Sequence, residues 1–202
     1  MKFDNTPTND GGSYEKPKPG KYIGVLVGFA FVGTQPGGQY GPKKKCLLRW
    51  ELHKRKGPSR DSKNFVHTVT QSFGATVRGE NSMLKKCLES HGVAVGEGGS
   101  TDSHEWLGKA AWLDLEEGEK QYVNVVGVSK LDPDDDAVPK NELPFEHWEP
   151  DDGTKCPQWA AWAVARSTDY AHLAPEKAGK PAEAAVGAGV GAARGDDDDI
   201  PF

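Results

Sequence analysis

At 202 residues, with 36% apolar residues, 25 glycines and 14 prolines, the chain has room for one well-buried domain with appendages outside it. No apolar run approaches the roughly 20 residues a bilayer span needs, and MKFDNTPTNDGG at the start holds no apolar leader core, so a cytoplasmic chain without membrane attachment is expected. The net charge of −5 hides a segregation: Lys16 to Lys86 carries 15 Lys and Arg against three acids, while Leu131 to Phe202 carries 6 against 16. A basic body joined to an acidic tail points to a polyanion partner and a separate role for the tail.

Residues 1–18 are polar and rich in Gly, Pro and Asn, as a flexible arm would be. KYIGVLVGFAFVG (21–33) follows, a strand of β-branched and aromatic residues whose Gly24 and Gly28 mark bends or a bulge. A loop, TQPGGQYGPKKK, leads into KCLLRWELH (45–53). There Cys46, Leu48, Trp50 and Leu52 share a core face, and Lys45, Leu47, Arg49, Glu51 and His53 share a face expected to be a charged outer surface. KRKGPSRDSK is a basic turn, and NFVHTVTQSF (64–73) is a third strand with apolar residues on both faces.

The period then becomes helical. NSMLKKCLESH (81–91) spaces Met83, Leu84, Cys87 and Leu88 along one side, and Gly92 is a natural stop. LGKAAWLDLEEG and KQYVNVVGVSK supply a fourth and a fifth strand. Three strands, a helix and two strands is the connectivity of a mainly β OB-fold, a five-stranded Greek-key barrel with a helix between strands 3 and 4. Another small α+β sheet would share the same element order.

This reading divides the chain into an arm (1–18), a barrel domain (19–131), an acidic extension with a short helix (132–174), a linker of Ala, Gly, Lys, Glu and Pro (175–195) and an acidic tip (196–202). Leu143, Phe145 and Trp148 are expected to pack the extension on the barrel, and Trp159, Trp162 and Ala163 to lie on its helix.

Several look-alike motifs fail on context. GAGVGA (187–192) follows no strand, GTQPGGQ (33–39) has Gln39 where a phosphate loop needs lysine, and DPDDDA (132–137) has Ala137 where an EF-hand needs its glycine. Cys46, Cys87 and Cys156 are widely spaced and odd in number, so buried thiols are expected rather than disulfides or a zinc site. No histidine pair has metal-ligand spacing, so no cofactor, metal or enzymatic activity is indicated.

What remains is basic residues interleaved with aromatics. A protein that grips single-stranded DNA needs cations for phosphates and aromatic faces for unstacked bases. The phosphate candidates are Lys43, Lys44, Lys45, Arg49, Lys54, Arg55, Lys56, Arg60, Lys63 and Arg78; those for stacking are Tyr22, Tyr40, Phe65 and Phe73. The lysine triplet and the KRK run are equally consistent with solvated turns, and Phe65 and Phe73 with core. Trp50, Trp106 and Trp112 are expected to be core.

The final residues, DDDDIPF, closely resemble the C-terminal tip of bacterial single-stranded DNA-binding proteins. That resemblance implies a docking peptide: Asp196, Asp197, Asp198, Asp199, Ile200, Pro201 and Phe202 would enter a basic-rimmed apolar pocket on replication, recombination or repair proteins. KPGKYIGVLVGF, KKKCLLRWEL and SMLKKCLESHG are similar to phage-encoded members, a looser likeness over about residues 17–170. It implies an OB-fold that coats single strands, with a homo-oligomer possible. An RNA-binding, cold-shock-like module and an acidic-tailed protein-interaction adaptor are the rival expectations.

Overall fold

The computed structural model describes residues 15–37, 41–55, 57–99, 101–118, 123–132 and 137–175. Most of the arm, Tyr40, Lys56, the linker from residue 176 and the tip residues 196–202 lie outside them. The described chain is mainly β: β1 (Gly20–Gln35), β2 (Lys43–Lys54), β3 (Gly57–Pro58), β4 (Thr68–Gly74), β5 (Ala110–Glu117), β6 (Val123–Ser129) and β7 (Glu146–Trp148). The two α-helices are α1 (Met83–Ser90) and α2 (Ala161–Val164).

The five long strands and α1 occur in the expected order. β1 pairs antiparallel with β2 on one edge and with β5 on the other, β2 pairs with β4, and β5 with β6. The sheet curls far enough that β4 and β6 approach each other. α1 begins at Ser82, whose hydroxyl accepts the Lys85 N–H, and stops at Gly92, which adopts φ +72. It buries Leu84, Cys87 and Leu88 in the main core with Leu48, Trp50, Leu113 and Val125.

β1 is buried on both faces, which explains why it reads as a nearly unbroken apolar run instead of an alternation. Before residue 27 the inward residues are Tyr22 and Leu26, and after it Phe29, so the parity changes. The cause is a bulge: the register with β2 shifts between Leu26 and Gly28. Gly28 is required there, because a Cβ would lie 2.8 Å from Cζ2 of Trp159. Gly24 answers to close packing instead, since its Cβ would meet Leu113 Cδ1 at 2.2 Å.

The outer face of β1 and β2 is covered by the acidic extension. Ile23, Val25, Val27 and Ala110 pack with Leu131 and Leu143, and Ala30, Val32 and Leu47 pack with Trp148, Cys156, Ala160, Ala163 and Val164. β7 pairs in parallel with Gly28–Ala30 of β1, continuing the edge that β5 occupies over Gly20–Val25. This corrects the expected charged outer surface on β2: Leu47, Glu51 and His53 are all buried. Leu143 and Trp148 pack as expected, whereas Phe145 is exposed. Trp162 and Ala163 lie on α2 as expected, while Trp159 precedes it. Trp50 and Trp106 are core, but Trp112 is only half-buried.

Candidate nucleic-acid interface

Two polar anchors hold the extension on the barrel. The Glu51 carboxylate lies 2.8 Å from His53 Nε2 and accepts the backbone N–H groups of Glu142 and Leu143. Burial alone would raise its pKa, but His53 and those two amides outweigh it and hold the carboxyl below its ordinary range. The second anchor is ionic: Arg49 donates to Glu146 at 3.0 Å, and Arg60 donates to both carboxylate oxygens of Glu142.

These anchors redistribute the basic residues expected to meet phosphate. Arg49, the mid-strand candidate, is engaged by Glu146 and sits 5.8 Å from the Trp159 ring. Arg78 is exposed but donates to the Gly98 carbonyl, bracing a loop. Lys44 is exposed near Asp169, whose carboxyl is held below its ordinary value first by hydrogen bonds from Thr34 and to a lesser degree by Lys44. Lys43 and Lys45 are half-buried, and Lys63 is exposed on a loop organised by Asp61, which accepts the Lys63 and Phe65 N–H groups.

The aromatic candidates divide sharply. Tyr22 and Phe73 are each only 4% exposed and lie in the main core, so both are corrections: neither presents a face to a base. Tyr22 points its hydroxyl to the Lys18 carbonyl at 2.9 Å, and Phe73 packs edge-on against Trp50. Phe65 precedes β4 and is 49% exposed. Tyr40 lies outside the described residues.

Lys54 and Arg55, at the end of β2, come together in a concave setting. They line a cleft of about 480 Å³ with Ile23, His53, Gly57, Pro58, Ala137, Pro139 and Lys140. They also line an adjoining hollow of about 380 Å³ with Lys21 and Trp112. Among the described residues, the lining of these two adjoining hollows, together a groove, holds four cations and one indole and no acid. Its walls come from β1, the β2–β3 turn, β5 and the extension.

Sequence reasoning missed three of these residues. Trp112 was legible: in AAWLDLEE it alternates with Ala111, Leu113 and Leu115, which are buried, and shares the other face with Asp114 and Glu116. Lys21 was hidden by its place at the head of an apolar run. Lys140 was hidden inside an acidic segment, and no local pattern brings it to the barrel.

A second polar cluster fastens β7. His147 stacks on Phe29 and, at 3.6 Å, on His104, while its Nε2 lies 2.8 Å from Ser103 Oγ. Its Nδ1 is 3.6 Å from Asp152 Oδ2, beyond hydrogen-bond distance, and Ser103 also donates to Glu149. Burial first, and His104 second, push the His147 pKa down. The geometry is that of a clasp on the strand. The three cysteines are free and buried, and burial pushes Cys46 up to about 12 and Cys156 to about 11. No group of His, Cys, Asp and Glu able to hold a metal occurs among the described residues, and no helix among them is long and apolar enough to cross a membrane. No protein-family model matches the sequence, and no curated protein matches it.

Proposed function

We propose that the protein binds single-stranded DNA without reading its sequence and recruits replication, recombination or repair proteins through residues 196–202. The observation that carries this reading is the gathering of Lys21, Lys54, Arg55, Lys140 and Trp112 along two adjoining hollows. Cations spaced along a concavity neutralise a phosphate chain, and an indole among them suits an unstacked base. The strand pairing supports an OB-fold in which β1, β2, β4, β5 and β6 are the five barrel strands, α1 joins the third to the fourth, and β3 and β7 are additions. The acidic tip DDDDIPF, with its apolar end, supports the recruiting role in the host-cell cytoplasm.

Fluorescence titration with oligo-dT tests the reading. Binding is expected to be tight, to weaken steeply as salt rises, and to exceed binding to duplex of equal charge; equal affinity for both overturns it. Oligo-rU in parallel separates DNA from RNA as the ligand. Deletion of residues 196–202 is expected to abolish capture of partner proteins while DNA affinity stays the same or rises. Loss of DNA binding on that deletion contradicts the docking role.

A further inference from the structure

We propose that His104 and His147 form an acid-sensitive clasp, which holds β7 on β1 while the His147 ring is neutral and releases it as that ring takes up a proton. The clasp works whether or not the groove takes DNA.

β7 is three residues long and pairs in parallel with Gly28–Ala30 of β1. A strand that short has little stability of its own, so its side chains must help to seat it. The His147 side chain is 8% exposed and stacks on Phe29 of β1, with centroids 5.1 Å apart and planes at 29°. It also stacks on His104 of the 3-10 turn Ser103–Trp106, at 3.6 Å and 20°. One ring thus ties β7 both to β1 and to the turn that precedes β5.

Hydrogen bonding fixes where the next proton enters. Ser103 Oγ donates its one hydrogen to Glu149 and lies 2.8 Å from His147 Nε2, so Nε2 carries the ring hydrogen and Ser103 accepts it. Nδ1 is buried without a hydrogen-bond partner, 3.6 Å from Asp152 Oδ2. The Asp152 carboxylate is itself engaged by the Glu149 N–H. A proton on Nδ1 would place a charge in a buried ring, stacked against a second titratable imidazole.

The groups that act on this ring are His104 from the turn and Glu149 and Asp152 from beyond β7, while β1 presents the uncharged Phe29. The two carboxylates favour the proton; burial first, and His104 second, outweigh them. The neutral ring therefore contributes stability that is complete above its ordinary 6.5 and is lost as pH falls through the lowered value. Glu146 adjoins His147 on β7, so release also parts Glu146 from Arg49.

The test is amide exchange of the full chain, expressed as protection factors that remove the intrinsic pH dependence of exchange. Between about pH 7.5 and about pH 5.5, the Glu146–Trp148 amides are expected to lose up to about tenfold in protection. That is the factor a histidine of ordinary value 6.5 supplies one unit below it. His147→Phe keeps a stacked ring that takes no proton and should hold β7 protection flat. His104→Gln removes the opposing imidazole and should shrink the loss. His91→Gln should leave the loss in place, which separates release of β7 from the acid response of the main core. A further readout needs no variant: the His147 ring resonance, assigned by its contacts to Phe29, should titrate below 6.5, and those contacts should fade over the same range.

Protection of β7 that stays level or rises in acid overturns the clasp, as does a His147 midpoint at or above 6.5. A loss that persists in His147→Phe assigns the release to another group and overturns the role of His147. A loss of unchanged size in His104→Gln removes His104 from the clasp.

Discussion

The Glu51 carboxylate accepts the backbone N–H of Leu143 at 2.8 Å across 92 residues of sequence. A fully buried acid on β2 thus provides the docking point for the extension, satisfying two amides that would otherwise be stranded beneath it. Glu51→Ala removes both acceptors and leaves His53 without its neighbour, so a loss of about 3 kcal/mol is expected. Glu51→Gln keeps one acceptor oxygen and should cost less. Urea unfolding followed by tryptophan fluorescence checks both, and an unchanged midpoint for Glu51→Ala would contradict the anchoring role.

Acid should loosen the fold in two stages. Burial pushes His91 down to about 4, its ring accepting the Trp50 indole N–H at 2.9 Å. A histidine held neutral contributes stability that is present above its ordinary 6.5 and is lost as pH falls toward 4, an amount of roughly 3 kcal/mol. Glu51, whose pKa is lowered, contributes stability present above its ordinary 4.5 and lost as pH falls through its depressed value. Urea midpoints from pH 7.5 down to 3 should therefore fall in both stages, and His91→Gln should flatten the upper part of the decline.

Phe73 and Phe65 should separate packing from surface exposure. Phe73→Ala opens the core beside Trp50 and is expected to cost 3–5 kcal/mol, like other buried Phe truncations of about that size. Phe65→Ala removes a half-exposed ring and should change stability by about 0.5 kcal/mol or less. Thermal melts of the two variants give the comparison, and equal losses would refute the assignment of Phe73 alone to the core.

The five long strands and α1 were legible because their patterns are local: the inward set of β2 alternates cleanly, and the helical spacing of Met83, Leu84, Cys87 and Leu88 stops at Gly92. The covered outer face was legible only indirectly. A surface strand should alternate, yet β1 does not, and that unbroken run already required a cover for both sides. What no local pattern supplied was the cover's identity. The extension has acids where a core segment would have apolar residues, because Glu142 and Glu146 dock through Arg60 and Arg49. For the same reason the sequence assigned Arg49 to phosphate: its polar face reads as solvent until the partner 97 residues away is placed.

That placement makes the salt dependence of binding diagnostic. Lys54 and Arg55 are exposed and line both hollows, so in the proposed complex each releases counterions from the strand. The slope of log affinity against log salt should fall by about 0.7 for each contact removed, hence by about 1.4 in the Lys54→Gln, Arg55→Gln double variant. Arg49 is already neutralised by Glu146 and partly covered. Arg49→Gln should therefore leave the slope unchanged while lowering stability modestly, since it removes an ion pair whose carboxylate is partly exposed. Titrations with oligo-dT from 50 to about 300 mM salt measure all three slopes. A slope that falls for Arg49→Gln and not for the double variant would move the phosphate path from the groove to the face beneath the extension.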